Sequence, residues 1–363
     1  MTALMVPARP AEDAALQPVP WRRMAWVTWR QHRLALTGLT VLIGALAVYV
    51  WFNGLQLHHA YAAAATCRPA ASLACGDLIS GFGVGAFLAN GFNLQAVPAL
   101  IGAFAGAPVL AREMETGTFR YAWTQGIGRW RWTLAKLTAL AVAATAAAGA
   151  LSAQLSWYYQ PYFPARSPAA AFPIPTSTFA AGLFDVRGVA FAAWTLAAFA
   201  IGALAGMLIR RVVPAMAATL AVYACFAFAA GLYLRQHYLT PLLARNVFSF
   251  FLRSPGSPYI VRQWWTKDGT TLGQSTMSQV INSTFQRMMP VVHSSKEGAV
   301  AALKQPTNGH VFHYLTQHGY SEWTSYQPAS RFWPFQWIEA GWLLALSVVL
   351  IAVTIWLVRR RAA

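Results

Sequence analysis

Six stretches of the chain are apolar and almost free of formal charge over about the length of a bilayer crossing: residues 34–53, 94–111, 137–155, 189–209, 212–234 and 338–358. A hydrocarbon core of ~30 Å takes about 20 residues of helix, and unpaired backbone groups in lipid are costly enough to exclude open strands. The pattern therefore predicts an all-α membrane protein with six transmembrane helices. The second stretch is short, contains Pro98, and follows a Gly-rich apolar run at 78–92 that either extends it or dips in as a re-entrant segment. Between the fifth and sixth spans the pattern changes. Residues 259–266 alternate as a strand does, Lys267, Asp268 and Gly269 offer a turn, and 270–273 can return as the second arm of a hairpin. Residues 277–288 and 311–317 read as short helices, so 235–337 is expected to form a mixed α/β insertion. Aromatic residues gather at its end, from Tyr314, Tyr320, Trp323 and Tyr326 to Phe332, Trp333, Phe335 and Trp337. They suit an interfacial belt over a small core, or a surface for a lipophilic ligand or partner.

A net charge of +17 on 363 residues first suggests a nucleic-acid binder, but only 10% of residues are charged and 57% are hydrophobic. Such a composition excludes disorder, a coiled coil and a secreted miniprotein, and it leaves no role for nucleic acid. Position explains the charge. Arg9, Arg22, Arg23, Arg30 and Arg33 precede the first span; Arg112, Arg120, Arg129, Arg131 and Lys136 fall between the second and third; Arg210 and Arg211 between the fourth and fifth; Arg359, Arg360 and Arg361 in the tail. Together they are fifteen of the 27 basic residues, and they fall in every second segment between spans. Positive charge is retained in cytoplasmic loops, so both termini are expected in the cytoplasm of a multi-pass plasma-membrane protein. Arg9, Glu12 and Asp13 precede any apolar run, which argues for an uncleaved anchor in place of a signal peptide. The chain then divides into a cytoplasmic segment at 1–33, five spans at 34–234, the extracytoplasmic insertion at 235–337, and the last span with its basic tail at 338–363. Trp21, Trp26 and Trp29 interleave with arginines at 21–33, as in a separate interfacial elbow helix or a simple anchor for the first span.

Chemistry is conspicuous mainly where it is missing. No Gly-x-x-x-x-Gly-Lys phosphate loop occurs, nor Gly-x-Ser-x-Gly, nor His-Glu-x-x-His, so neither ATP binding by that route nor intramembrane proteolysis has its signature. A non-enzymatic chain is expected. Proton- or sodium-driven carriers keep an ionisable residue at membrane depth, yet the middles of the spans hold none; Glu339 and Asp185 lie near span ends. Energy for uphill transport would have to come from another subunit. Thr37, Thr40, Asn53, Gln95, Ser152 and Gln154 could line a path or be satisfied between packed helices. Cys67 and Cys75 in the first extracytoplasmic loop are placed to form a disulfide, whereas Cys225 reads as a small buried residue. His310, His313 and His318, with His293, do not share a helical face or an acidic companion, and no metal site is expected.

The segment 111–136 is too long for a simple turn. Arg112, Glu113 and Glu115 precede Gly117 and Thr118, an amphipathic run through Arg120 reaches Thr124 and Gln125, and Arg129, Trp130, Arg131 and Trp132 lead into the next span. Physics alone allows a basic anchor or a short helix lying on the membrane between Gly117 and Gly126. The pattern Arg-Glu-x-Glu-x-Gly-Thr, then Thr124-Gln125 and Arg-x-Arg-Trp, resembles the membrane subunit of ABC transporters of the type-2 exporter class, particularly its actinobacterial branch. The resemblance extends to Thr28-Trp29-Arg30-Gln31-His32-Arg33, to the run from Tyr326 to Trp333, and to Gln336-Trp337-Ile338-Glu339. It covers most of the chain.

Such a resemblance implies a permease half that pairs, as a homodimer or heterodimer, with separate ATPase subunits. ATP and Mg then belong to the partner, and this chain needs no cofactor. It also implies that Glu113, Glu115, Gly117 and Thr118 open a coupling element docked on the ATPase, which Arg120 to Arg131 completes. Apart from the resemblance, the insertion before the last span is expected to act as a lid or exit gate, with Arg331, Trp333 and Glu339 as a candidate outer gate. At about a hundred residues it is longer than the short re-entrant helices common in the class. A rival reading is a non-transporting receptor or assembly protein that binds a ligand through 235–337; co-purification of an ATPase, or of an outer partner alone, separates the two.

Overall fold

The computed structural model describes residues 21–67, 78, 94–117, 129–162, 177–179, 183–245, 258–288 and 308–361. Helix α1 runs from Trp21 to Thr66, α2 from Leu94 to Glu115, α3 is Arg129–Tyr158, α4 is Ala190–Ile209, and α5 is Val212–Ala229. After α5 come the strands β1 (Leu242–Arg245), β2 (Tyr259–Lys267) and β3 (Thr270–Leu272), the helices α6 (Gln274–Met288) and α7 (Asn308–Gln317), then β4 (Tyr320–Gln327) and the long α8 (Phe332–Arg361).

Among the described residues, five segments are long and apolar enough to cross a membrane: Leu94–Glu115, Trp130–Tyr158, Ala190–Ile209, Val212–His237 and Ala329–Arg360. They match the second to sixth expected spans. The first, 34–53, falls inside α1, whose 46 residues continue without interruption from Trp21. The separate elbow helix is thus not formed, because no Gly or Pro between Trp21 and Arg33 stops the helix. Pro98 does not shorten α2 either. The helix continues past it, and α2 carries a wide π turn at Gly102–Gly106 before reaching Glu115. Of the Gly-rich run at 78–92 only Leu78 lies within the described residues.

Helix α4 is the axis of the bundle. Its alanines and glycines leave no bulk to separate backbones, and Ala197, Ala198, Phe199, Ala200 and Ala203 are fully buried. Its closest partner is α2. A Cβ added at Gly102 would meet the carbonyl oxygen of Ala198 at 2.5 Å, and one at Gly106 that of Phe199 at 2.6 Å. The contact is reciprocal, since a methyl group on Gly202 or Gly206 would strike the carbonyls of Gly102 and Ala107. Two Gly-x-x-x-Gly pairs therefore interlock, and the π turn of α2 coincides with this crossing.

The segment between α5 and α8 forms a four-stranded antiparallel sheet of order β1-β4-β2-β3. The expected hairpin is present: β2 and β3 pair through Lys267 and Thr270, and Asp268 and Gly269 supply the positive φ angles of 48° and 84° that a tight turn requires. The two expected helices are α6 and α7, which cover one face by packing Met277, Val311 and Leu315 on Trp265. Two strands were not expected. Aromatic residues in 320–326 belong to β4, an inner strand, while Leu242–Arg245 forms one edge. A seam of Phe179, Phe184 and Phe335, with Tyr238, Tyr259 and Phe332 against it, joins sheet and helices.

Candidate functional site

Two groups of charged side chains close opposite ends of the helix bundle. One lies where α2 ends, α3 and α5 begin and α8 finishes. Helix α2 stops because Gly117 adopts a φ of 69° and Thr116 turns its hydroxyl back onto the Arg112 carbonyl at 2.8 Å. Just before that stop, Glu113 reaches α3: its Oε1 accepts from Lys136 Nζ at 2.5 Å, and the same ammonium donates to the Val109 carbonyl at 3.1 Å. Lys136 is buried, with 2% of its side chain exposed. Glu115, a half turn on, points to α5 and accepts from the Val212 backbone N–H at 3.1 Å. A carboxylate at a helix N-terminus satisfies an orphan donor and meets the positive end of the helix dipole. The two glutamates thus pin the end of α2 to two different helices. Trp130 at the start of α3 holds the tail, with the Arg359 guanidinium 4.9 Å from its ring centre and Arg131 at 5.4 Å.

Arg112 and Arg131 are exposed beside these tethers, and Gly117 ends the described part of the loop. Thr118, Arg120, Thr124 and Gln125 lie outside the described residues, as does the side chain of Arg129. The structure therefore brings Glu113 and Glu115 into one constellation with Lys136 and Val212, which the loop sequence alone did not single out.

The second group lies beneath the sheet. Helix α5 does not end at Leu234. It continues through a π turn at Ala230–Leu234 and a 3-10 turn at Arg235–His237, so Arg235 is part of the helix, not the start of the insertion. Its guanidinium is buried against the ring of Phe184, 4.2 Å from the centre, and faces two carboxylates. Nη2 donates to Asp185 Oδ1 and, at 3.1 Å, to Glu339 Oε1; Nε donates to Glu339 Oε2 at 3.3 Å. Trp194 Nε1 of α4 donates to Glu339 at 2.8 Å, the Tyr238 hydroxyl donates to it at 3.2 Å, and Gln95 Nε2 of α2 donates to Asp185 at 2.6 Å. One turn before Glu339, the buried Gln336 accepts from the Ala190 N–H at 2.9 Å and donates to the Phe184 carbonyl at 2.8 Å. Gln336 and Glu339 share a face of α8 because they are three residues apart, and together they hold the N-terminal turn of α4. Burial pushes the Asp185 carboxyl up to about 7, against the pull of Arg235 and with a further push from Glu339.

Arg331, Trp333 and Glu339 are not brought into one contact. Arg331 donates to the Thr240 carbonyl and to Gln327 Oε1, both at 2.6 Å, and so staples the start of α8 to the end of α5. Trp333 is exposed, and only Glu339 enters the buried cluster, because the three fall on different faces of the helix. Sequence reading placed Asp185 and Glu339 near span ends but missed their partner, since Arg235 looked like the first loop residue. The polar residues of the spans are engaged too: Asn53 donates to the Tyr49 carbonyl, Ser152 to that of Gly188, and Gln154 to that of Ala47. Cys67 is disulfide-bonded and Cys225 is a free thiol; Cys75 lies outside the described residues. Cys225 is exposed on α5, so it is not the buried residue expected. Among the described residues, no group of three His, Cys, Asp or Glu could hold a metal ion.

A family model described as ABC-2 membrane transporter related matches residues 33–235, more than half of the chain. The chain belongs to that family. No curated protein and no solved structure matches it. The match runs from the first half of α1 to Arg235, so it includes the Glu113 and Glu115 tethers and two of the three charges under the sheet. This ABC-2 family permease is a multi-pass membrane protein with a mostly helical fold and a small antiparallel sheet. Members of the family are generally non-catalytic transport components that associate with an ABC ATPase in the membrane.

Proposed function

We propose that the chain is one permease half of an ATP-driven exporter, with six spans and both termini in the cytoplasm. On this reading, the end of the bundle that carries Glu113, Lys136 and Arg359 faces the cytoplasm, and the sheet faces outward. A separate nucleotide-binding subunit docks on the segment 111–136, binds ATP and Mg, and pushes on it as it closes. A second permease, the same or related, completes the conduit, and a lipophilic substrate leaves beneath the sheet, which acts as a lid.

One observation carries the reading. The segment that would receive the push is fixed to two helices at once, through Glu113 to α3 and through Glu115 to the first turn of α5. A displacement of this end of α2 cannot leave those helices behind, and the interlocked glycines of α2 and α4 pass it to the bundle axis. Distributed basic residues around the tethers, Arg112, Arg131, Arg210 and Arg211, favour both retention at the cytoplasmic face and docking of an acidic surface.

Replacing Glu113 and Glu115 together by Ala is expected to lower permease-stimulated ATP hydrolysis by the co-expressed ATPase, with insertion and co-purification unchanged. Stimulation equal to that of the unaltered chain would remove both residues from coupling.

A further inference from the structure

Around Arg235, one cation faces two carboxylates. Asp185 and Glu339 both accept from the same nitrogen of its guanidinium, Nη2. The groups bonded to the cluster carry no charge, and Arg187, the cation two residues from Asp185, has its guanidinium over the Phe332 ring, 5.2 Å from the centre. From α2 the cluster meets the neutral amide of Gln95, from α4 the indole of Trp194, and from α5 and the turn after it the phenols of Tyr223 and Tyr238, the second held in turn by Trp342 Nε1 of α8 at 2.9 Å. With both carboxyls ionised, the site would keep one uncompensated negative charge in a place where 0% of the Glu339 side chain and 2% of that of Arg235 are exposed. Burying an unpaired charge is among the most costly arrangements a fold can contain.

We propose that the cluster holds one exchangeable proton at the Asp185 carboxyl, which makes it a proton-binding site at the sheet-bearing end of the bundle. The exposure pattern supplies the route. Asp185 keeps 18% of its side chain exposed, so the proton enters and leaves on its side while Glu339 stays sealed. Its carboxyl is already raised toward neutrality by burial, as described above, which puts exchange within the pH range of a cell. With the proton bound, one cation balances one anion and the ends of α2, α4, α5 and α8 are held by a neutral network. Without it, the extra charge favours water entry and separation of those ends. The site exists whether or not the chain exports anything, so it stands apart from the transport reading.

Infrared difference spectroscopy of the full chain in nanodiscs, recorded through a pH titration, reads the proton directly. The expected result is a carbonyl band of a protonated carboxylic acid near neutral pH that shifts in D2O, fades as pH rises, and is absent in both Asp185→Asn and Glu339→Gln. Glu322, whose carboxyl burial also raises, is the control. A band that persists in Asp185→Asn and Glu339→Gln, or disappears in Glu322→Gln, overturns the proposal, and the last outcome does not depend on the cluster variants folding. Thermal unfolding provides a second reading. A carboxyl raised in the folded state stabilises most below about 4 and loses that contribution as pH climbs to about 7. The melting temperature of Asp185→Asn should therefore gain on that of the unaltered chain across this interval, and a constant gap would overturn the assignment.

Discussion

The two ends of the helix bundle use the same residue types in opposite ways. At the Glu113 end, each carboxylate has one partner among the described residues, an ammonium for Glu113 and a backbone N–H for Glu115, and each keeps access to water. Beneath the sheet, a single guanidinium serves two carboxylates, Glu339 sealed and Asp185 partly exposed, with indole, phenol and amide groups donating to them. The first arrangement binds segments one pair at a time and can be undone one pair at a time. The second is a closed network in which every member depends on the others, because a low-dielectric site penalises any group left unpaired. A moving element suits the first end, and a seal with two states suits the second.

Removing the shared cation should break that contrast most severely. Arg235→Met keeps much of the side-chain bulk but leaves Asp185 and Glu339 facing each other unpaired. It is expected to cost about 3–5 kcal/mol of stability, as loss of one member of a buried ion pair does. Chemical unfolding in detergent measures it, and a loss below about 1 kcal/mol would show that the cluster is not the closed network described. Adding Glu339→Gln to the Arg235→Met chain should recover part of the loss, since it takes away the charge left behind. At the other end, Lys136→Met should cost less, about 1–3 kcal/mol, because the Glu113 side chain retains 19% exposure and can turn to water. Equal losses at the two ends would erase the distinction.

The amount that could be read from the sequence follows the same division. Long apolar runs mark helices by length alone, so five of the six stretches fall within long apolar helices, two of which begin well before the expected limits, and alternation with a Lys-Asp-Gly turn was enough to find β2 and β3. Strand β4 escaped because its aromatic residues, Tyr320, Trp323 and Tyr326, have a spacing that also fits a belt at the membrane surface. Arg235 escaped for a related reason. A basic residue after an apolar run marks a span end, and only the folded chain shows that the helix goes on and turns this arginine inward to carboxylates 50 and 104 residues away. The loop motif was visible, but its physical content was not: Glu113 and Glu115 looked like a surface for a partner, and both turn out to bond within the chain.

The smallest expected effect is the sharpest test of what the exposed end is for. Glu115 is exposed and makes a single bond to the first turn of α5, so Glu115→Ala removes one N-terminal cap and should cost only about 0.5–1 kcal/mol. Glu115→Gln keeps an acceptor for the Val212 N–H while losing the charge, and should cost less than Ala. If Glu115 serves only to finish the helix, ATPase stimulation will follow these small stability losses and return nearly in full with Gln. If the bond transmits motion from α2 to α5, Ala will lower stimulation far more than it lowers stability. Gln, which preserves the link, will restore it. The ratio of the two effects, measured on the same preparations, separates a cap from a tether, because a cap acts on the folded population and a tether acts on how that population moves.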